Sequence, residues 1–418
     1  MNSAAPPRRG DRVGLPSIPV TPALSLLDQL VTADAARLRL VKATAAEPHW
    51  VPSLRRLSED ATRAATAGPW TVMSKSTVPP SGNRHDYCTL SEYFWPDPLT
   101  SDGLPWILRD GHLNPESVAG SDDANQLRHM ANGSLTLALN AWLTDSAPDA
   151  DRAAAILRRW FLDPDTAMRP HLRYSSMVPG WPEPPGWGLI RCHPFIAALD
   201  AERLLSDLGA WTTDDSEQLT EWMAEFLSWM LSSSMWTEEL ERGNNHTSWC
   251  LATGLALALR VDELGTAREL VPLALGAILD QIELDGRQPA EESRSRGYFY
   301  ANYNLDALMT CADLLHRVDA LEPSSTNGGH LMAAAERLAP FIDQVEPWPQ
   351  PFHIEWDRTL GASALHRAVA RQSAENRDDV RVAQSLARAG SLAAKRTARE
   401  WLCWDTGQVP SVTDGATA

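Results

Sequence analysis

Apolar residues recur at the spacing of an α-helix along most of this chain, and this pattern restricts the fold more than any other sequence feature. Beyond residue 122 nine such segments follow one another, and several open with Ser, Asp, Asn or Pro, which favour helix starts. They span residues 122–144, 149–161, 194–208, 214–232, 245–263, 265–283, 302–319, 329–345 and 378–404. Two more precede them, at 22–45 and 53–67. Because alternating strand-like patterns are almost absent, the sequence predicts an all-α fold of about a dozen helices.

Prolines and glycines interrupt the helical pattern without dividing the chain into domains. Pro/Gly-rich stretches at 177–191 and 346–352 separate groups of helices but lack the polar, low-complexity composition of a linker. No repeat of fixed length is visible, so a regular solenoid is not expected. We predict one domain over residues 21–405, between a flexible proline-rich leader at 1–20 and a flexible tail at 406–418. An (α/α) toroid of antiparallel helix hairpins and an irregular bundle both fit the pattern.

The charge balance limits the partners that the chain can have. Lys and Arg number 37 against 54 Asp and Glu, a formal charge of −17, which disfavours nucleic acid or an anionic membrane as a general partner. A polyanionic ligand would need a local basic cleft. No stretch reaches the roughly 20 apolar residues of a membrane span, and prolines stand where an N-terminal signal peptide needs its apolar core. The sequence therefore predicts a cytoplasmic protein.

The cysteines indicate reduced thiols rather than disulfide or metal chemistry. They are odd in number, far apart and never spaced as CxxC, which argues against a disulfide framework and a structural zinc site. The five are Cys88, Cys192, Cys250, Cys311 and Cys403. His193, beside Cys192, is too isolated in the sequence to indicate a metal ligand. Since HExxH and EF-hand patterns are also absent from the sequence, we expect no metal and no cofactor.

A stretch from about residue 70 to residue 121 has no sustained period and is rich in Pro, Gly and aromatic residues. Loops this long are usually functional or disordered, and the density of aromatics favours order. We expect a lid or wall of an active site, with Tyr87, Tyr93 and Trp95 as substrate contacts. Tryptophan, at 17 residues, outnumbers Phe and Tyr, and indoles stack on sugars as well as pack in cores. Trp187 is a further candidate, in a Pro/Trp-rich segment that could close or reshape the pocket.

One polar cluster lies where a helix is predicted to begin. The run Arg-Gly-Asn-Asn-His-Thr-Ser-Trp occupies residues 242–249, and Asn244 suits the N-cap position. Free backbone N–H groups and the helix dipole favour an anion there, so Asn245 and His246 can hold a carboxylate. On the alternative interpretation the asparagines cap the helix, the histidine packs, and no chemistry occurs.

A second cluster enters the helix that carries Leu305. Residues 292–305 read Glu-Ser-Arg-Ser-Arg-Gly-Tyr-Phe-Tyr-Ala-Asn-Tyr-Asn-Leu, with two arginines and three tyrosines in an acidic protein. An Arg there can bind an anion, and a Tyr whose pKa is lowered by neighbouring positive charge can exchange a proton. The alternative is a solvated basic turn followed by aromatics that pack helices together.

A third cluster carries a family resemblance. Residues 85–98 read His-Asp-Tyr-Cys-Thr-Leu-Ser-Glu-Tyr-Phe-Trp-Pro-Asp-Pro, and Asp-Gly-Leu-Pro-Trp follows at 102–106. This run resembles the signature of the alginate lyase family, and the Asn–His and Arg…Tyr clusters resemble later motifs of the same family in the same order. The resemblance spans about residues 85 to 305. It implies an all-α (α/α) toroid, or incomplete barrel, of antiparallel helix hairpins whose long loops form a lid at one end.

The resemblance also implies β-elimination at a uronic acid, with an Asn, a His, an Arg and a Tyr around the reacting sugar. Carried onto this sequence, these fall on Asn245, His246, Arg294 and Tyr300, with Arg296 in reserve for Arg294. Asn245 and Arg294 would offset the negative charge that builds on the substrate carboxylate. His246 and Tyr300 would divide the roles of base and acid, or Tyr300 would take both.

We therefore predict a carbon–oxygen lyase that performs metal-independent β-elimination on a uronate-containing or similar carboxylated sugar, with Asn244 and Arg296 as further substrate contacts. Its substrate is expected to be a small carboxylated molecule or an oligosaccharide, because the chain is acidic and shows no export signal. A second hypothesis is an intracellular enzyme of the same fold that performs elimination, dehydration or rearrangement on a small molecule in biosynthesis. A third is a non-catalytic carbohydrate-binding relative, which would lose the acid–base residues that this chain retains.

Overall fold

The computed structural model describes residues 25–117, 119, 123–318, 327–342, 348–349, 362–374, 384 and 402–404. The predicted leader and tail, and most of the predicted helix 378–404, lie outside the described residues. Within them the chain is built mainly of α-helices, with a few short strands between the second and fifth.

The described helices are α1 (Ala35–Ala43), α2 (Val51–Ala67), α3 (Asp123–Thr144), α4 (Ala147–Phe161), α5 (Phe195–Asp207), α6 (Thr213–Ser232), α7 (Ser234–Leu240), α8 (Asn245–Arg260), α9 (Leu264–Gln281), α10 (Pro289–Glu292), α11 (Gly297–Leu315), α12 (Asn327–Leu338) and α13 (Ala362–Ala374). The described strands are β1 (Cys88–Leu90), β2 (Phe94–Trp95), β3 (Ile107–Leu108) and β4 (Tyr174–Met177).

The long helices form an incomplete ring. Along its inner side α3 packs against α5, α5 against α8, and α8 against α11. Outer helices cover this layer, with α4 on α3, α9 on α8, and both α12 and α13 on α11. Very short connections join α3 to α4 and α8 to α9, so these pairs are antiparallel hairpins. The described helices thus form an incomplete (α/α) toroid, which confirms the predicted fold class.

Helices α8 and α11 are buried on nearly every side, because both carry apolar residues all round. Glu291, just before α11, contacts Asn245 at the start of α8. The ring of Trp249, one turn into α8, lies 5.3 Å from that of Tyr303, nearly two turns into α11. Both helices therefore begin at the same end of the toroid, and their first turns are neighbours.

The prediction of one continuous helix over residues 22–45 is wrong. Among its described residues, 27–29 form a single 3-10 turn, and α1 starts only at Ala35. Between them the backbone N–H groups of Val31 and Thr32 donate to the buried carboxylate of Asp200 on α5, at 2.6–3.0 Å. Asp34 then caps α1 by accepting the N–H of Arg37. A tertiary acceptor and a cap therefore outweigh the apolar period here.

Other helix bounds differ in ways that the contacts explain. Helix α11 begins at Gly297 rather than at 302, so Tyr298 and Tyr300 lie inside it. The apolar pattern does not predict α7, which is only seven residues long and is capped by Ser233. It also does not predict α13, where the buried Arg367 pairs with acids of α11 and interrupts the apolar pattern.

The aromatic-rich stretch forms an ordered wall over the loop end of the toroid. Strand β1 pairs in parallel with β4, and β2 pairs with β3 in antiparallel. Lys75 and Asp123 form a fully buried ion pair at 2.9 Å, and Asp123 also accepts the backbone N–H of Cys88 at 2.8 Å. Since a buried charge is stable only when it is paired, these contacts fix the wall onto α3. The order predicted from the aromatics agrees with this arrangement.

Two further sequence-based expectations bear on the described residues. None of the helices in these ranges is long and apolar enough to cross a membrane. All five cysteines are buried, and none of them is joined to another by a disulfide in the described residues.

Asp215, in the first turn of α6, makes a pH-dependent contribution to stability. Arg158 donates to it at 2.8 and 2.6 Å, and this pairing, with the bonds to Thr212, lowers the pKa of Asp215 to about 2. Because the folded pKa lies below the unfolded one, the contribution is present above about pH 4 and is lost as the pH falls toward 2. We expect Asp215→Asn to lower the free energy of unfolding by about 1–2 kcal/mol at pH 7, since Arg158 is partly exposed. Urea unfolding should show a smaller loss near pH 2; an equal loss at both pH values would contradict the assignment.

Candidate active site

The first turn of α8 is fixed by local hydrogen bonds that the sequence specifies. The Asn244 side chain accepts the backbone N–H of His246 at 3.0 Å, which confirms the predicted N-cap. Gly243, with φ of 58°, takes the left-handed conformation that glycine favours and donates its N–H to the Thr247 hydroxyl. The side chains of Asn245 and His246 therefore project from the helix start in fixed directions.

A buried carboxylate holds the imidazole of His246. Its Nδ1 lies 3.2 and 3.1 Å from the two carboxylate oxygens of Glu239, a side chain with no solvent exposure. Glu239 also accepts the backbone N–H of Ile190 and lies 3.3 Å from Arg242 Nε. An ionised carboxylate only accepts hydrogen bonds, so the contact favours the tautomer of the neutral imidazole that has its proton on Nδ1 and its lone pair on Nε2. The pairing leaves His246 with one nitrogen, Nε2, suited to act as a base.

A second buried carboxylate holds Asn245. Its backbone N–H donates to Glu291 Oε1 at 2.5 Å, and its side-chain Nδ2 donates to the two oxygens of Glu291 at 2.9 and 2.8 Å. Burial raises the pKa of Glu291, while the bonds from Asn245 and the charge of Arg294 oppose the rise. Glu291 is thus electrostatically coupled both to the α8 cluster and to the cluster that enters α11.

Arg294 and Tyr300 are stacked at the start of α11. The guanidinium carbon of Arg294 lies 3.8 Å from the centre of the Tyr300 ring, within the range of a cation–π contact. Arg294 also donates to Asp110 of the wall at 2.7 Å. The Tyr300 hydroxyl donates to the Tyr93 hydroxyl at 2.9 Å. The wall segment therefore contacts both predicted residues of this cluster.

The expectation that positive charge lowers the pKa of this tyrosine is wrong for the unliganded protein. Burial raises the pKa of Tyr300 far above its ordinary value, and the nearby Arg294 offsets only part of this rise. Burial raises the pKa of Tyr93 as well. Tyr300 is therefore a neutral phenol at physiological pH, and such a group is a proton donor before it is a base.

A second path of contacts links His246 to the wall. Arg242, which pairs with Glu239, lies 5.1 Å from the centre of the Trp187 ring. The indole N–H of Trp187 donates to the Ser91 hydroxyl at 3.0 Å, two residues before Tyr93. His246 and Tyr300 are thus joined through Glu291 on one side and through Trp187 on the other. Trp187, predicted as a substrate contact, lies on this second path.

The remaining predicted contacts lie at different depths. Arg296 donates to the backbone oxygen of Gly111 in the wall, at 3.0 Å. The ring of Trp95 is covered by Arg109, and its indole N–H donates within the wall segment. Tyr87 has no solvent exposure and belongs to the hydrophobic core, so it cannot contact a substrate directly. The prediction that Tyr87 contacts substrate is therefore wrong, and Tyr87 instead packs in the core beneath the wall.

Several arginines cluster at the site of this acidic protein. Arg191 pairs with Glu92 of the wall at 2.9 Å and, with weaker contributions from Arg128 and Arg296, lowers the pKa of Glu92. Arg242 pairs with the buried Glu239, and Arg294 pairs with Asp110, which like Glu92 is partly exposed. Each of these arginines therefore already has a carboxylate partner, and a carboxylated ligand has to share the arginine or displace that partner.

Comparison with known proteins bears directly on this arrangement. The family model for alginate lyases matches residues 71–348, well over half of the chain. This chain belongs to the alginate lyase family. The crystal structure of an alginate lyase from Bacteroides ovatus aligns with a TM-score of 0.79 and 29% sequence identity, over 89% of this chain and 98% of that one. A comparison with curated proteins gave no match.

Membership of the alginate lyase family confirms the prediction of a lyase and agrees with the toroidal fold. Family and fold also support a polysaccharide-lyase-like function in general terms. Among the residues that the structure describes, no group of three or more His, Cys, Asp or Glu could hold a metal ion.

Sequence reasoning missed the acids that orient the site. Glu239, Glu291 and Asp110 hold His246, Asn245 and Arg294 respectively. The one sequence signal for Glu291 is its position on the short helix α10, three residues before Arg294. Glu239 and Asp110 carry no local signal, because their partners are set by how α7 and the wall pack against α8 and α10.

Proposed function

We propose that this member of the alginate lyase family catalyses metal-independent β-elimination on a uronate-containing or similar carboxylated sugar. One observation carries the proposal: a histidine with Nδ1 bound by a buried carboxylate and a neutral tyrosine stacked on an arginine are joined by a short path of contacts. These are the groups that the reaction needs. One takes a proton next to a carboxylate, one returns a proton to the departing oxygen, and one offsets the charge on the carboxylate.

His246 Nε2 is our candidate base. It takes the proton from the sugar carbon that carries the carboxylate, C5 of a hexuronate. The electron pair released forms the C4–C5 double bond as the bond from C4 to the glycosidic oxygen breaks. Glu239 stabilises the imidazolium that results, because its carboxylate already lies 3.1 Å from Nδ1.

Tyr300 is our candidate acid. It holds its proton in the free protein and lies beside Arg294. As the glycosidic bond breaks, the hydroxyl protonates the departing oxygen, and the proton balance closes when His246 later releases its proton to solvent and the Tyr300 phenolate takes one up. Until then Arg294 stabilises the phenolate, and Tyr93 can reverse its hydrogen bond and donate to it.

Arg294 and Asn245 are our candidates for the substrate carboxylate. Arg294 donates to Asp110, and both Nδ2 hydrogens of the buried Asn245 go to Glu291, so Asn245 has to release Glu291 before it can donate to a substrate. Arg294 keeps further N–H donors for a second acceptor, since a guanidinium carries five. A cytoplasmic location stays a prediction.

The test is a screen of purified uronate polymers and oligomers for an unsaturated product, which absorbs in the ultraviolet. We expect absorbance to rise with one or more of them. Binding of a uronate oligomer without any product would instead favour a non-catalytic carbohydrate-binding protein. If no uronate is bound and none is converted to product, the proposal is overturned, and small-molecule chemistry on the same fold is favoured.

Metal independence is tested in the same assay. Since His246, Tyr300 and Arg294 supply the base, the acid and the positive charge, prolonged treatment with a chelator should leave the rate unchanged within about twofold. Activity lost to the chelator and restored by one divalent ion would contradict this mechanism.

A further inference from the structure

A cavity of about 180 Å³ lies on the inner side of the toroid, beyond the predicted catalytic residues. Its lining includes Arg128 and Asn132 of α3, His193 before α5, and Trp249 of α8. Asp306 and Thr310 of α11 form another wall. None of the four candidate catalytic side chains lines it. The proposed elimination therefore gives this cavity no role of its own.

Helical spacing connects the cavity to the reacting groups. Trp249 follows His246 by one turn on α8, and Asp306 follows Tyr303 and Tyr300 by successive turns on α11. The Tyr303 hydroxyl lies 3.3 Å from Nδ1 of His193 in the cavity wall. The catalytic cluster and the cavity thus occupy successive turns of the same two helices.

Arg128 lies between the two regions. It lines the cavity, and its charge also acts on Glu92 of the wall, although Arg191 is the larger influence on the pKa of Glu92. Its guanidinium donates to the uncharged side-chain oxygen of Asn125. Arg128 is exposed, so a carboxylate that enters from the catalytic side can reach it.

Trp404 lines the cavity together with Arg367 and Cys403. Arg367 lies 5.0 Å from the centre of the Trp404 ring and donates to Asp306 and Thr310, two residues of the cavity wall. The backbone oxygen of Cys403 accepts the N–H of Asp34 at 2.7 Å, which fixes this segment on the N-terminal part of the domain. Trp404 also lines a separate, more open groove of about 360 Å³. Its side chain therefore stands between the cavity and that outer groove.

The closing residues come from outside the part of the chain that matches the family model. That match covers residues 71–348, whereas Arg367, Cys403 and Trp404 follow it and Asp34 precedes it. The blind end is thus built by segments whose sequence the family model does not describe.

The size and chemistry of the cavity suit one sugar ring. A cavity of roughly 150 Å³ holds a single benzene ring, while drug-sized ligands fill roughly 300–1,000 Å³. The indole of Trp249 offers a flat face for C–H groups, and Asn132 and Thr310 offer hydrogen bonds to hydroxyls. Burial lowers the pKa of His193 to about 4, so at neutral pH it too is an uncharged partner.

We propose that this cavity is a subsite for the terminal residue of a uronate chain, closed by Trp404, so that the enzyme removes one sugar at a time from a chain end. The inference rests on the proposed function for its reaction and adds no chemical step to it. Because the subsite beyond the scissile bond is blind, an internal segment of a long polymer cannot pass through it. Short chains with a free end are then the preferred substrates.

Binding of a single sugar tests the subsite without using the lyase reaction. Calorimetric titration of wild-type protein with D-glucuronate and D-mannuronate should show one site for at least one of them. Trp404→Ala should weaken that binding about tenfold or more, because it opens the pocket into the outer groove. Trp211→Ala is the matched control, since Trp211 also packs under an arginine, Arg158, but far from the cavity; it should bind as wild type does. Absence of binding to wild type, or unchanged affinity in Trp404→Ala, overturns the inference even if the enzyme is an active lyase.

A second variant covers the case in which Trp404→Ala fails to fold. Asn132 is exposed on α3 and lines the cavity, so Asn132→Phe should fill the pocket and abolish binding of the monosaccharide with little effect on the melting temperature. Unchanged binding in this variant overturns the inference.

Product analysis gives an independent readout when lyase activity is present. With a uronate pentamer, wild type should release a monosaccharide and a tetramer from the first turnovers. Trp404→Ala should also release dimers and trimers. Early dimers and trimers from wild type would exclude a blind one-sugar subsite while leaving the proposed elimination intact. Monosaccharide binding without any lyase product would support the subsite and contradict the proposed elimination.

Discussion

Tyr300→Phe is expected to lower turnover on the active uronate substrate by about 10²-fold or more, the usual scale of a lost general acid or base. The substitution removes one hydroxyl and its 2.9 Å bond to Tyr93, and it leaves the ring stacked on Arg294. Since substrate contacts are largely kept, the loss should appear in kcat rather than in KM. Steady-state rates of double-bond formation measure both.

Tyr298→Phe is the matched control for this experiment. Tyr298 lies two residues earlier on the same helix, has no solvent exposure, and directs its hydroxyl to the backbone oxygen of Leu338 at 3.4 Å. It should retain wild-type turnover. The turnover of Tyr93→Phe should lie between those of Tyr300→Phe and Tyr298→Phe, because this variant removes the partner of Tyr300 but not the proton that Tyr300 donates. Undiminished turnover in Tyr300→Phe would remove this residue from the mechanism.

The sequence predicted the helical architecture because apolar periodicity reports burial on one helix face. It was accurate where that period is uninterrupted, as in α3 and α6. It failed for the N-terminal segment, because the acceptor for Val31 and Thr32 is Asp200, far away in the sequence. It also failed for α13, whose inward side carries a charged residue, Arg367, that only its acidic partners make stable.

The site residues also divide into those that the sequence predicts and those that it does not. The residues proposed to act on substrate lie in short motifs at the starts of α8 and α11, where a helix start gives local signals such as the Asn244 cap. The acids that orient them have no such signal. Glu239 reaches His246 because α7 packs beside α8, and the bond from Asn245 to Glu291 spans 46 positions in the sequence.

The pKa of Tyr300 illustrates why composition alone misleads about electrostatics. Two nearby arginines suggest a lowered value, yet burial is the larger influence and acts in the opposite direction. Burial depends on the wall that carries Tyr93, and the placement of that wall is a tertiary property. The consequence is chemical: the free enzyme presents a protonated phenol, so the base has to be sought elsewhere.

His246→Ala is expected to lower turnover by about 10²-fold or more, because His246 Nε2 is the candidate base. Glu239→Gln should give a smaller loss, about tenfold or more, in kcat with little change in KM. The neutral amide no longer stabilises an imidazolium, and its N–H can donate to Nδ1 and so move the imidazole proton onto Nε2.

Glu202→Gln separates this effect from the general loss of a buried charge. Glu202 is also buried, at 3% exposure, and it pairs with Arg260 at 3.1 Å in the core. Both Glu→Gln variants should lower the melting temperature, since each leaves a cation with a weaker partner. Only Glu239→Gln should change kcat of the folded enzyme. Equal kcat in the two variants would reduce Glu239 to a structural acid, and a fully active His246→Ala would require that another group take the proton.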